Sequence, residues 1–220
     1  GTPIYDFAQM KKNNYRFLRD RLNFCYSLYD YVYLDHFRGY LETYLVEHGK
    51  EDGLEGRFEK TEGLSVVDSF IQDKSRVVAE DVDYSSNDIR DVLTKLGIND
   101  TRVLEFGYPR EETNFNKANN YPYTCFSFTS THDCKPLKGY LEDMSLSDRK
   151  KAVREINISC HHFGVKEVDV NDVRGQVESL LELNLASLSN VAIQAMPDLL
   201  FQGNEARINT PSTVGINWKY

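Results

Sequence analysis

The 220-residue sequence contains one tryptophan, four cysteines and six prolines. Cys25, Cys125, Cys134 and Cys160 are widely and irregularly spaced with no C-x-x-C pair, which excludes a disulfide scaffold and predicts reduced thiols in a cytoplasmic protein. The one stretch of metal-like composition, Cys160-His161-His162, points adjacent side chains in different directions and has no second ligand pair at a useful spacing, so no metal site is expected. Positive charge is also short: 26 Lys and Arg face 34 Asp and Glu, leaving a formal charge of −8. Such a field repels phosphate backbones, which excludes nucleic acid as a partner. Apolar runs are brief, as in Val77-Val78-Ala79, against the roughly 20 residues a membrane-spanning helix requires; no membrane partner is expected. Gly1-Thr2-Pro3-Ile4-Tyr5-Asp6 shows no basic region followed by an apolar stretch, so no secretory signal is visible there. No Pro-, Gly- or Ser-rich linker and no low-complexity tract divides the chain, which predicts one structural unit.

What is present is enough apolar surface, 40% of residues, for one sizeable core or part of a larger one, with 14 Tyr and 12 Phe among them. Tyr15, Leu18, Leu22, Cys25, Tyr26 and Tyr29 recur three or four apart while Arg16, Arg19, Asp20 and Asn23 face away, predicting an amphipathic helix over residues 15–29. Val32-Tyr33-Leu34 then reads as a buried parallel strand ending at Asp35. The pattern repeats: a helix over 65–71 precedes a strand at Val77-Val78-Ala79, and Ser85-Ser86-Asn87-Asp88 supplies cap chemistry for a helix through Leu96 that Gly97 stops. Further strands are predicted over 102–107, 124–130 and 190–195, and helices over 145–156 and 170–187. The Asn-rich segment 110–120 is expected as a surface loop. Helical crossovers between short apolar strands imply a parallel sheet, and polar groups gathered at strand C-termini are where such sheets place active sites. Five strands are too few to close an eight-stranded barrel, and the sequence opens in a helix, so it reads as the second half of something larger.

Strand-end acids stand out: Asp35, Glu80 and Asp133. If the strands are neighbours the carboxylates converge on one rim, an arrangement whose repulsion and desolvation require a cation or a chemical purpose. Pairing an ionised carboxylate with a protonated one is the device of glycosidic chemistry. A strand-end Asp also serves as a cap for the next helix, and pattern alone leaves both readings open.

Asp35-His36-Phe37-Arg38-Gly39, Ala79-Glu80-Asp81, Ser130-Thr131-His132-Asp133, and Pro197-Asp198-Leu199-Leu200 with the Gly203 to Asn209 segment resemble the 4-α-glucanotransferases (amylomaltases, glycoside hydrolase family 77), as do Gly1-Thr2-Pro3-Ile4-Tyr5 and Asn217-Trp218. The resemblance covers nearly all of the chain in the family's order. It implies a partial (β/α)8 TIM barrel of the α/β class, about the fourth to eighth strands with their helices, with the upstream half of the barrel as partner. It further implies Asp35 as nucleophile, Glu80 as general acid/base and Asp133 as transition-state stabiliser, with His132 contacting the transferred sugar. Substrates would be maltodextrins or other α-1,4-glucans, handled by a retaining double displacement without a cofactor. Asp81 and Asp83, close in sequence to Glu80, would raise its proton affinity by like charge.

The sequence departs from the resembled family at Tyr33, where arginine is usual. Side chains two apart on a strand share a face, so Tyr33 would lie beneath Asp35 and offer one neutral hydrogen bond in place of a charge-assisted one. Two alternatives follow: a catalytically weakened glucan-binding relative, and an α-glucan hydrolase. Cys134 stands where many relatives carry asparagine, and no base is identifiable to activate it. His36 and Arg38 are candidate sugar contacts, although Arg38 has a rival role pairing with a rim acid. Asp81 is a candidate glucan ligand or a helix cap. Asp198 reads as architectural, and Tyr140 and Trp218 as core aromatics or sugar-stacking ones.

Overall fold

The computed structural model describes residues 4–50, 52–80, 87–110 and 114–219. The chain forms an α/β fold with a five-stranded parallel sheet. It divides into two compact units, residues 1–100 and 101–220. The division falls inside a strand, which is why no change of composition marks it.

In the first unit, α1 (Phe7–Lys11) leads into α2 (Arg16–Leu28), whose Leu18 and Leu22 are buried as the periodicity predicts. The outward stripe of α2 is less polar than expected, because Phe17, Phe24 and Leu28 remain exposed. β1 (Val32–Leu34) pairs in parallel with β4 (Val77–Ala79), register Leu34↔Ala79, and β4 pairs with β5 (Asn99–Val103). β4 is fully buried, but β1 is not: Tyr33 is 38% exposed, correcting the expectation of a buried strand. β1 has one strand neighbour among the described residues, so one of its edges lacks the cover that parallel strands usually have.

Between β1 and α3 (Leu64–Phe70) lies a feature the periodicity did not reveal, an antiparallel hairpin of β2 (Glu42–Leu45) and β3 (Arg57–Lys60). Its side chains are largely exposed, and the facing pair Tyr44 and Phe58 sets ring centroids 5.0 Å apart. α4 (Asn87–Leu96) buries Ile89 and Leu93 and ends at Gly97, whose φ of +67° is the left-handed conformation that glycine adopts without a Cβ clash. Residues 85 and 86 of the predicted cap lie outside the described residues.

The strand expected over 102–107 is displaced. The chain pairs earlier, at β5, and residues 104–107 wind into a 3-10 turn. Asn99 made this strand hard to read, yet its side-chain amide is satisfied by donating to the carbonyls of Ser75 and Val77 at 2.9 and 3.1 Å.

In the second unit, β6 (Cys125–Phe128) pairs in parallel with β7 (Val191–Ile193), and α5 (Leu137–Glu142), α6 (Leu146–Phe163) and α7 (Val173–Ala186) lie between them in sequence. Ser145 caps α6 as predicted, accepting from the Asp148 amide at 3.1 Å, and the helix continues seven residues beyond the expected Ile156. The segment before β6 carries no α-helix among the described residues, so the strand–helix alternation lapses there. Nor do residues 114–119 form a surface loop: each is buried or half-buried. Asn116 is fully buried and accepts from the Val103 amide at 3.0 Å, while Lys117 is buried in an ion pair with Glu155. Polar composition misled here because these side chains serve the backbone and each other rather than water. A Cβ at Gly107 would fall 2.5 Å from the Asn116 carbonyl oxygen, so this close approach requires glycine. A short helix α8 (Met196–Leu199) follows β7.

Candidate active site

In the first unit, the register Leu34↔Ala79 places Asp35 and Glu80 at equivalent positions, one residue beyond the ends of paired parallel strands. The ladder continues there, with the Glu80 amide donating to the Leu34 carbonyl at 3.0 Å. The Glu80 carboxylate then accepts the His36 backbone N–H at 2.5 Å, joining two of the predicted residues, with Asp35 adjacent in the chain. His36 holds a left-handed φ of 47° at the start of a 3-10 turn over Phe37–Tyr40, a conformation costly for a residue with a Cβ. That turn buries Phe37 completely and so anchors the exposed Asp35 and His36 above the core.

The Asp35 carboxylate makes no hydrogen bond or ion pair among the described residues. It lines a cavity of about 380 Å³ together with Tyr33, His36, Arg21, Tyr5 and Tyr40. Burial raises the proton affinity of the Tyr40 phenol, with Tyr5 and Asp35 adding to the effect and Arg21 opposing it. Arg38 is ion-paired with Glu42, and its guanidinium sits 5.3 Å from the centre of the Phe58 ring. Asp81 and Asp83 lie outside the described residues.

In the second unit, Asp133 lies five residues beyond the end of β6, in a loop rather than at the strand end. His132 Nε2 is 3.4 Å from its carboxylate. Two residues to which spacing assigned no role hold this loop. Arg207 donates to the Asp133 carbonyl at 2.7 Å, and the Asn209 side-chain amide donates to Asp133 Oδ1 at 2.5 Å. The Asn209 backbone N–H meets the His132 carbonyl at 3.0 Å. No periodicity links residues more than 70 positions apart; the only sequence signal for Arg207 and Asn209 was the motif that contains them.

Trp218 lies against His132, ring centroids 5.2 Å apart at 30°, and stays 66% exposed. Tyr140, the other candidate for sugar stacking, instead donates its hydroxyl to the Tyr108 carbonyl at 2.5 Å. Asp198 is 1% exposed and architectural: its Oδ2 accepts from the Thr129 and Ser130 hydroxyls at 2.6 and 2.7 Å, and its Oδ1 from the Leu137 amide at 2.7 Å. Cys134 is buried against Glu105, and burial pushes its thiol up to about 12, the opposite of a reactive cysteine. Among the described residues, no group of three or more His, Cys, Asp or Glu is placed to hold a metal, and no helix is long and apolar enough to cross a membrane.

Acids just beyond paired parallel strands in the first unit, and a His-Asp loop braced from a distant segment in the second, lie where α/β folds with parallel sheets carry their functional groups. The chain belongs to glycoside hydrolase family 77: the family profile, described as 4-alpha-glucanotransferase, matches residues 1–220. It is 30% identical over 222 residues to the 4-alpha-glucanotransferase of Aquifex aeolicus and 29% identical over 227 residues to that of Clostridium butyricum, covering 100% of this chain and 43% of each relative. An amylomaltase from Streptococcus agalactiae, solved in complex with acarbose, matches with a TM-score of 0.84 at 22% identity over 99% of this chain and 42% of that one. The chain therefore spans less than half the length of the relatives it matches, and its fold is that of part of an amylomaltase barrel.

Proposed function

We propose that this chain is the C-terminal half of the catalytic barrel of a cytoplasmic 4-α-glucanotransferase that moves α-1,4-glucan segments between maltodextrins. Asp35 attacks the anomeric carbon as Glu80 gives a proton to the leaving oxygen, forming a glycosyl-enzyme. Glu80 then takes a proton from the 4-hydroxyl of an acceptor glucan, which displaces Asp35 with net retention. Asp133 faces the oxocarbenium-like charge in both steps. His132, His36, Arg38 and Asp81 contact the glucan, and the upstream half of the barrel completes the site. The reducing compartment is inferred from the wide, irregular spacing of the four cysteines.

The observation that carries this reading is the Leu34↔Ala79 register with the His36–Glu80 hydrogen bond. Neighbouring strands lie about 4.8 Å apart, so Asp35 and Glu80 leave the sheet from adjacent backbone positions at the same end, which is what two carboxylates flanking one glycosidic bond require. Tyr33 favours a second reading. It lines the cavity that holds Asp35, and a weakened, glucan-binding protein follows if the nucleophile needs a cation there.

Maltotriose separates the readings, given to this chain joined to the upstream half of its barrel. Glucose with maltodextrins longer than the substrate supports transfer, and Asp35→Asn then abolishes them. Glucose and maltose without longer products mean hydrolysis. An unchanged pool that Tyr33→Arg restores to turnover means the weakened relative; an unchanged pool in both proteins refutes the proposal.

A further inference from the structure

Behind the His132–Asp133 loop lies a buried acid that the proposed chemistry does not use. Glu105 follows β5 in the 3-10 turn over Leu104–Gly107 and is 5% exposed. Its backbone N–H donates to the Thr129 carbonyl at 3.2 Å, which ties it to the strand feeding the loop. Its side chain meets the Cys134 thiol, while its Oε2 is buried without a hydrogen-bond partner. Cys134 is in turn bound to Thr131: sulfur to hydroxyl at 3.0 Å, and backbone N–H to carbonyl at 3.1 Å. The Asp133 amide donates to that same Thr131 hydroxyl at 3.3 Å. Glu105, Cys134, Thr131 and Asp133 thus form one contact path.

We propose that Glu105 is a positioning residue whose protonated carboxyl carries the turn over residues 131–134, and that loss of its proton releases the turn presenting His132 and Asp133. This rests on reading His132 and Asp133 as part of the site. The physical reason is desolvation. A neutral carboxyl with one unmade hydrogen bond is tolerated among buried groups, whereas a carboxylate with an unpaired oxygen in the same place is costly. The groups facing Glu105 are Cys134 and Lys135 of the loop, Asp198 of α8 and Arg207 of the following segment. Burial pushes the Glu105 carboxyl up to about 8, opposed by the Cys134 thiol, reinforced by Asp198 and countered by Arg207 and Lys135. Asp198 already accepts three hydrogen bonds from residues 129, 130 and 137, so an ionised Glu105 has little freedom to draw new donors from the same loop.

Trp218, the only tryptophan in the chain, lies against His132 and reports on the turn directly. Its fluorescence, followed from pH 6 to 10, should show a transition near pH 8 in the unaltered protein. Glu105→Gln, which keeps shape and neutrality, should abolish the transition, and His132→Gln should leave it in place. A measurement without variants guards against misfolding. Amide exchange corrected for intrinsic rates should show residues 131–134 losing protection at pH 9 relative to pH 6.5, while α6 does not. Absence of the transition, its persistence in Glu105→Gln, or unchanged protection of 131–134 overturns the proposal. In glucan transfer by the protein with its upstream barrel half, kcat should fall through the same pH range and Glu105→Gln should flatten that fall. The two readings fail separately: a Glu105-dependent transition with no transfer at any pH sinks the proposed function alone, whereas transfer whose alkaline limb survives Glu105→Gln sinks this inference alone.

Discussion

Asp198 takes hydrogen bonds from two hydroxyls and one amide, all buried, so its removal leaves several donors without water to turn to. Asp198→Ala should lower stability by about 3 kcal/mol or more, and Asp198→Asn by less because one carbonyl oxygen remains as acceptor. Urea midpoints at unchanged slope would measure both, and equal losses would contradict this account. Glu105 makes a different prediction, about pH. Its folded-state proton affinity, near 8, stands above the ordinary 4.5, so the folded chain holds a proton that the unfolded chain has released across that interval. The associated stability is whole below pH 4.5, declines as pH rises, and is gone above about pH 8. The slope is at most about 1.4 kcal/mol per pH unit. Unfolding at pH 5 and pH 7.5 should show this decline reduced in Glu105→Gln; an identical decline would assign it to other groups.

Among the elements, the segment between β5 and β6 shows how a polar stretch becomes interior. Lys117 is enclosed with Glu155 of α6 as its counter-ion and sits 5.8 Å from the centre of the Tyr108 ring. Opposing charge and ring face compensate much of the desolvation cost of burying an ammonium group. Glu155→Gln leaves that ammonium without its anion and should cost about 3 kcal/mol. Converting both residues to apolar ones of similar size should cost less than the single change, because no buried charge is then stranded. A thermal melt of the three proteins tests the ordering, which fails if the double replacement is the least stable. The β2–β3 hairpin is the opposite case, with little burial; Arg38 pairs with Glu42 of its first strand and lies 5.3 Å from the Phe58 ring of its second.

For the whole molecule, β1 and β7 each have one strand neighbour among the described residues. An uncovered strand edge displays backbone groups that pair readily with another chain. The 220-residue chain alone should therefore self-associate with rising concentration, and addition of the upstream half of the barrel should suppress this. Light scattering coupled to size-exclusion chromatography reads the mass directly. A monomer at all concentrations would mean the edges are protected by other means.

Local chemistry was legible in the sequence wherever one element suffices. Helices α2, α4, α6 and α7, strands β1, β4, β6 and β7, the Ser145 cap and the Gly97 stop all follow from periodicity and cap residues, which act within a few positions. Asp35, Glu80, His132 and Asp133 were legible as motifs, and their family followed from those motifs. What neighbouring residues cannot encode, tertiary structure decided: the Leu34↔Ala79 register, the brace of Arg207 and Asn209 on Asp133, and burial of the Asn116–Lys117 segment. It also separated Trp218, exposed beside His132, from Tyr140, bonded to Tyr108. The physical reason is common to all of these. A polar side chain declares its hydrogen-bonding capacity in the sequence, but only folding selects the distant group that satisfies it and whether water is excluded when it does.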